Sequence, residues 1–199
     1  MNAFVRTMIG LGWMTMGVSA LAQQHTVAHQ WNEQVLEAIR NDFARPTVHA
    51  RNLYHASILM YDSWAAFDTT QSQTIFLGQE FDGYLCPFDA AALDIPTDLE
   101  ARKEAQEIAM SYASYRLIRH RYQASPQAES TMANIYVQMI IQELDTSFTS
   151  TDYATHGAPA LGNYLAEQLI AYGMTDGSNE ANDYANTCYE QLEPNILPE

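Results

Sequence analysis

A chain of 199 residues with 24 acidic against 9 basic side chains, and a formal charge of −15, is long enough for one domain with a real core. Its charge sets it against nucleic acid and anionic membrane surfaces, and disfavours a free anionic substrate. Two cysteines, Cys86 and Cys188, do not have the clustering of a zinc site and leave a single long-range disulfide open.

Residues 1–22 read as a secretory signal. Arg6 supplies the positive start, MIGLGWMTMGVSA an apolar stretch too short for a confident membrane span, and Ala20-Leu21-Ala22 a cleavage site. The expected location is therefore periplasmic or secreted, with no membrane attachment after cleavage and a single helical domain over residues 23–199. Cleavage would remove Arg6 and no acid, leaving the remainder one unit more negative.

The first predicted helix runs from Val27 to Phe43, with Ala28, Trp31, Val35, Ala38 and Ile39 at helical intervals. Pro46 ends that pattern and opens a central helix to Asp68, with Thr47 as its cap or Pro46 in its first turn. Two heptad-spaced rows, Leu53-Met60-Phe67 and Ala50-Ser57-Trp64, make a broad apolar face, so Leu53, Met60, Trp64 and Phe67 are the expected core. The same helix carries His49, Arg51, Asn52, His55 and Asp62, which are costly to bury without partners. Arg51, His55 and Asp62 share a stripe that suits either a general base or ligand, or a buried polar ladder between helices. The ladder is favoured, because about 10 Å of helix rise separates His55 from Asp62. His49 and His55 stand six apart, which is not the spacing of a helical metal pair.

Ile75 to Pro96 is aromatic and acidic without sustained period, and predicts a long connection. Thr97-Asp98-Leu99-Glu100 has the form of a capping box opening a third helix to Tyr122. Arg116, Arg119, His120 and Arg121 near its end suit the negative end of the helix dipole better than a phosphate site. Ser125-Pro126 predicts the start of a fourth helix carrying Met132, Ile135, Tyr136, Met139, Ile140 and Leu144. After a Thr-, Ser- and Asp-rich loop, Ala158 to Tyr172 predicts a fifth, with Gly173 at its C-terminal cap. The fold class that follows is all-α: a bundle of about five helices with a long loop after the second.

Asp176-Gly177-Ser178-Asn179-Glu180 and Asp183 concentrate oxygen ligands, but the EF-hand glycine and glutamate positions hold Ala181 and Thr187. Caps and turns built on Asx hydrogen bonds are favoured over a calcium loop.

Trp31, the run RPTVHARNLYHASILMYDSWAAFD from Arg45, and DGSNEANDYAN from Asp176 together resemble the N-terminal part of bacterial proteins of the vanadium-dependent haloperoxidase type. The resemblance covers roughly Trp31 to Tyr189 and implies a helical N-terminal region of an enzyme that oxidises halide with peroxide. The oxyanion pattern of that superfamily is a Lys followed seven positions later by Arg-Pro, then Ser-Gly-His, then a third segment with Arg and His. The internal Arg-Pro here is Arg45-Pro46, and Ala38 stands where the lysine belongs; Lys103 is the sole lysine; His156 precedes its glycine, Gly157, and no Ser-Gly-His occurs. No catalytic, cofactor-binding or metal-binding residue is carried over, and vanadate is implied only for the full-length family. The implied partners are a C-terminal catalytic half or, by self-association, a second copy. The last ten residues read as a connector, as in a truncated, split or diverged short form. The alternative is a secreted helical binding or calcium-stabilised module without enzymatic activity.

Overall fold

In the computed structural model, which describes residues 25–70 and 72–187, five helices form a bundle and a two-stranded hairpin occupies the long connection. The expected signal segment and Cys188 lie outside the described residues. α1 (Val27–Arg40) is capped by Thr26, whose hydroxyl accepts from the His29 N–H at 3.2 Å. It stops three residues before Phe43, where buried Asn41 turns its amide to Thr131 at 3.2 Å. α2 (Pro46–Ala65) has no side-chain cap; Pro46 stands in its first turn, where a missing N–H leaves no bond unmade.

α3 (Leu99–Tyr122) is capped by Asp98, not Thr97, through the Ala101 N–H at 2.9 Å. α4 (Ala128–Ile141) begins later than Ser125-Pro126 predicts. The Ser125 hydroxyl donates to Asp42 at 2.9 Å across the bundle and is not a cap. α5 (Tyr153–Gly173) is longer than expected because Asp152 caps an extra turn, set at an angle by Gly157 at φ 59°. The regular part after this kink starts at Ala158, the boundary the sequence predicts. Gly173 is the last helical residue and Met174 takes the cap position.

α3 and α5 cross most closely. A Cβ at Gly162 would collide with the Ala109 carbonyl oxygen and the Tyr112 side chain, so the crossing requires glycine. Around it lie Trp31, Leu59, Phe67, Ile118, Ile135, Met139, Leu161 and Leu165, all essentially inaccessible. Each such side chain contributes about 1.5–3 kcal/mol by its removal from water. Trp31 also donates its indole N–H to Ser111 at 2.9 Å, tying α1 to α3 without leaving a buried donor unmet.

The inward face of α2 differs from the expected one. Phe67 is buried, but Leu53 and Met60 only edge the core, and Trp64 is 39% exposed. Ala50 and Ser57 also face outward. The buried stripe is Val48, Asn52, His55, Ala56, Leu59 and Asp62. Rotation of the helix toward its polar groups has a physical cause: Asn52, His55 and Asp62 each have a partner waiting on α3 or a loop, which removes the desolvation penalty that makes apolarity the usual guide.

The connection after α2 is pinned rather than loose. Asp62, fully buried, accepts from the backbone N–H groups of Ile75 at 2.7 Å and of Phe76 and Leu77 at 2.8 Å. β1 (Glu80–Phe81) and β2 (Tyr84–Leu85) then pair antiparallel about an Asp82-Gly83 turn, both residues at positive φ. Phe76 stacks on Tyr84 at 5.9 Å between centroids, and Phe81 meets Tyr172 of α5 edge-on at 5.3 Å. Cys86 in this connection is a free thiol, wholly buried, and burial pushes its pKa up to about 12.

Candidate functional site

The polar groups of α2 separate into two assemblies. Asp62 serves the loop just described, where burial pushes its pKa up and the three backbone donors oppose that shift. One turn and more away, Arg51, Asn52 and His55 meet Arg121 and His120 of α3 and the segment after α5. The stripe of Arg51, His55 and Asp62 is therefore not one constellation: Arg51 and His55 bond in one place and Asp62 in another.

Arg51 is the hub. Its Nε donates to Asp176 at 2.5 Å, and its Nη2 to Glu180 at 2.6 Å and to the Gly173 carbonyl at 2.9 Å. At Gly173 a Cβ would press on the guanidinium ends of both Arg51 and Arg121, which would have to shift to admit it. Arg121 lies beneath, its Nη1 donating to Asn52 and its Nη2 facing His55 Nδ1, both at 2.8 Å. Its Nε is 3.5 Å from Glu180 without hydrogen-bond alignment. His120 Nε2 completes the cluster, 3.1 Å from Glu180 Oε1, the same oxygen that Arg121 faces, while Arg51 takes Oε2.

The charges follow from this packing. Burial works against the Glu180 carboxylate, yet the bonds from His120 and Arg51 and the charge of Arg121 outweigh it and hold its pKa at about 2. Asp176 is likewise below the ordinary carboxylate range, burial being overcome by Arg51 and Ser178. Burial, reinforced by Arg121 and Arg51, drives His55 down to about 3. With a guanidinium donating to Nδ1, His55 is neutral and carries its proton on Nε2.

The 176–184 segment uses its oxygens as the Asx reading expects. Asp176 accepts from the Ser178 N–H at 2.9 Å, Asn179 donates to the Ala185 carbonyl at 2.8 Å, and Asn182 donates to Asn179 at 2.7 Å. Asp183 pairs with Arg45 at 3.0 Å. Among the described residues no group of three or more His, Cys, Asp or Glu side chains is placed to hold a metal ion, and no helix is long and apolar enough to cross a membrane.

A second feature adjoins the Arg51 cluster along α3 and shares His120 with it. Arg116, Arg119 and His120 face Thr149, Thr151 and Glu167 across a cleft of about 370 Å³. From the sequence, Arg116, Arg119, His120 and Arg121 stand as one cluster, with a dipole role weighed against a phosphate site; the structure turns Arg121 into the buried cluster and leaves Arg116, Arg119 and His120, with Gln123, lining the cleft. His49 belongs to neither feature; its Nε2 lies 2.8 Å from the Phe43 carbonyl at the entry to α2. His156 packs edge-on against Phe148 at 5.6 Å. Comparison with family models, curated proteins and solved structures gives no match to this chain.

Proposed function

We propose that the chain is the N-terminal helical region of a vanadium-dependent haloperoxidase-like protein, acting as a scaffold without a vanadate site of its own. The observation that carries this reading is the contact between the two longest stretches of the resemblance: Arg51, in the run from Arg45, binds Asp176 and Glu180 of the later run. Those residues are engaged with one another, so what they have in common with the family is a way of closing a bundle. A cage for a trianion needs several converging cations. Here Arg45, Arg51 and Arg121 already face Asp42, Asp183, Asp176 and Glu180.

The purified chain, loaded with vanadate and given peroxide and bromide, is expected to show no bromide oxidation above a protein-free control. Turnover that disappears on removal of vanadate would overturn the proposal.

The surface this reading assigns to a catalytic partner is the outer face of α4. Tyr136 and Ile140, and beside them Val137 and Ile141, form two adjoining i, i+4 columns, each residue about half exposed or more. Glu129 is the one charged side chain in α4, so contact there avoids the repulsion of an otherwise acidic surface. Without that partner the same face should drive concentration-dependent self-association, measured by light scattering, and Val137→Lys with Ile141→Lys should restore a monomer. Wild-type protein that stays monomeric at high concentration would count against this surface. The alternative is a secreted helical binding or calcium-stabilised module without enzymatic activity; its calcium form requires Asp176 and Glu180 to exchange Arg51 for a metal ion.

A further inference from the structure

The cleft beside the C-terminal turns of α3 holds two arginines that meet no carboxylate among the described residues. Arg116 is held by uncharged acceptors only: its Nε donates to Asn163 Oδ1 at 2.9 Å and its Nη2 to the Phe148 carbonyl at 2.5 Å. Those bonds fix the plane of the guanidinium and leave Nη1 without a partner among the described residues. Arg119, one turn along, is exposed and makes no hydrogen bond or ion pair among them. Arg102 and Lys103 also form no ion pair among the described residues, but Arg116 and Arg119 line one cleft together, so two cations without an acid face the same space in a chain of charge −15. Burial lowers the pKa of Arg116, and the nearby charge of Arg119 acts in the same direction. A negative group in the cleft would relieve both effects.

We propose that this cleft binds a small organic monocarboxylate. The free fork of Arg119 matches a carboxylate with two parallel N–H···O bonds, and Arg116, already oriented by Asn163 and Phe148, adds a donor through Nη1. Thr149 and Thr151 line the same cleft, and Ile170 offers apolar surface to a carbon skeleton. The volume of about 370 Å³ is at the small end of ligand sites, the range of a benzoate-sized molecule. Glu167 on the margin sets the charge of the ligand. It adds repulsion against dianions and trianions such as phosphate or vanadate, while one negative charge is balanced by the two arginines. The remaining acids of the chain weigh less, because exposed charges beyond about 8 Å are largely screened at physiological salt. None of this depends on the haloperoxidase reading.

The test is a titration of the full chain with sodium benzoate, followed by amide NMR shifts, with inorganic phosphate in parallel and ionic strength matched with sodium chloride. Saturable shifts confined to residues around 116–123 and 149–151 are expected with benzoate, and weaker binding with phosphate. Arg119→Ala, at an exposed side chain that supports no fold contact, should weaken benzoate binding about tenfold or more, as loss of a charge-assisted bidentate pair implies. Arg119→Lys should lie between, keeping charge but losing the fork. The proposal is overturned by shifts that never saturate, by an Arg119→Ala variant that binds as wild type, or by phosphate binding at least as tightly as benzoate.

Discussion

Asp62→Ala is expected to destabilise the protein by about 3 kcal/mol or more, because it strands three buried backbone donors at about 1–3 kcal/mol each. That is a large part of the total stability of a domain this size. The donors are the N–H groups of Ile75, Phe76 and Leu77, and Phe76 and Leu77 are fully buried, so water does not replace the carboxylate without opening the loop. Asp62→Asn should fall between wild type and alanine. Its one remaining oxygen can still accept from Phe76 and Leu77, but its amide would face the Ile75 N–H, donor against donor. Urea midpoints give the stability, and hydrogen exchange at residues 75–77 shows whether the loop opens before the bundle does. A loss under about 1 kcal/mol, within the net contribution of an ordinary hydrogen bond, would mean that the aromatic contacts of Phe76 with Tyr84 and Tyr172 hold the loop instead.

Those same residues show where the sequence is legible and where it is not. Helix starts at Val27, Pro46 and Leu99 follow from local rules, since caps and prolines act within one turn. The α4 start is displaced because Ser125 has a tertiary partner, Asp42, that no local pattern reveals. On α2 the usual guide failed for a related reason. Hydrophobic rows identify the inner face only while polar groups lack buried partners, and Asn52, His55 and Asp62 have theirs on Tyr122, Arg121 and the 75–77 backbone. Trp64 was displaced to the margin by that rotation. The carboxylates of Asp176 and Glu180 were visible as an oxygen-rich run; that they would meet Arg51, 125 and 129 residues away in sequence, was not.

Arg51→Met should cost about 3–5 kcal/mol, the range for removing one partner from a buried ion cluster. The Arg51 side chain is 13% exposed, and those of Asp176 and Glu180 are 7% and 6%. Without the guanidinium two buried carboxylates are left sharing one site, with only His120 and Arg121 near Glu180. The loss should depend on pH in a stated direction. Glu180 has a folded pKa of about 2 against an ordinary 4.5. Its contribution is therefore fully present above pH 4.5 and lost as pH falls toward 2. The difference between wild type and Arg51→Met should be greatest at neutral pH and shrink across that window. His55, at about 3 against 6.5, adds a loss of stability in the wild type between pH 6.5 and 3, because the unfolded chain takes up that proton first; Arg51 is one cause of that lowering, so the loss should be smaller in Arg51→Met and narrow the difference further. Replacing the carboxylates as well, in Arg51→Met/Asp176→Leu/Glu180→Leu, should recover much of the loss at pH 7, since a buried cluster exchanged for apolar groups is often near neutral. Chemical denaturation of the three proteins at pH 7 and pH 3 separates the causes. A difference that stays constant between the two pH values would assign the role of Arg51 to packing of its aliphatic stem, not to its charge.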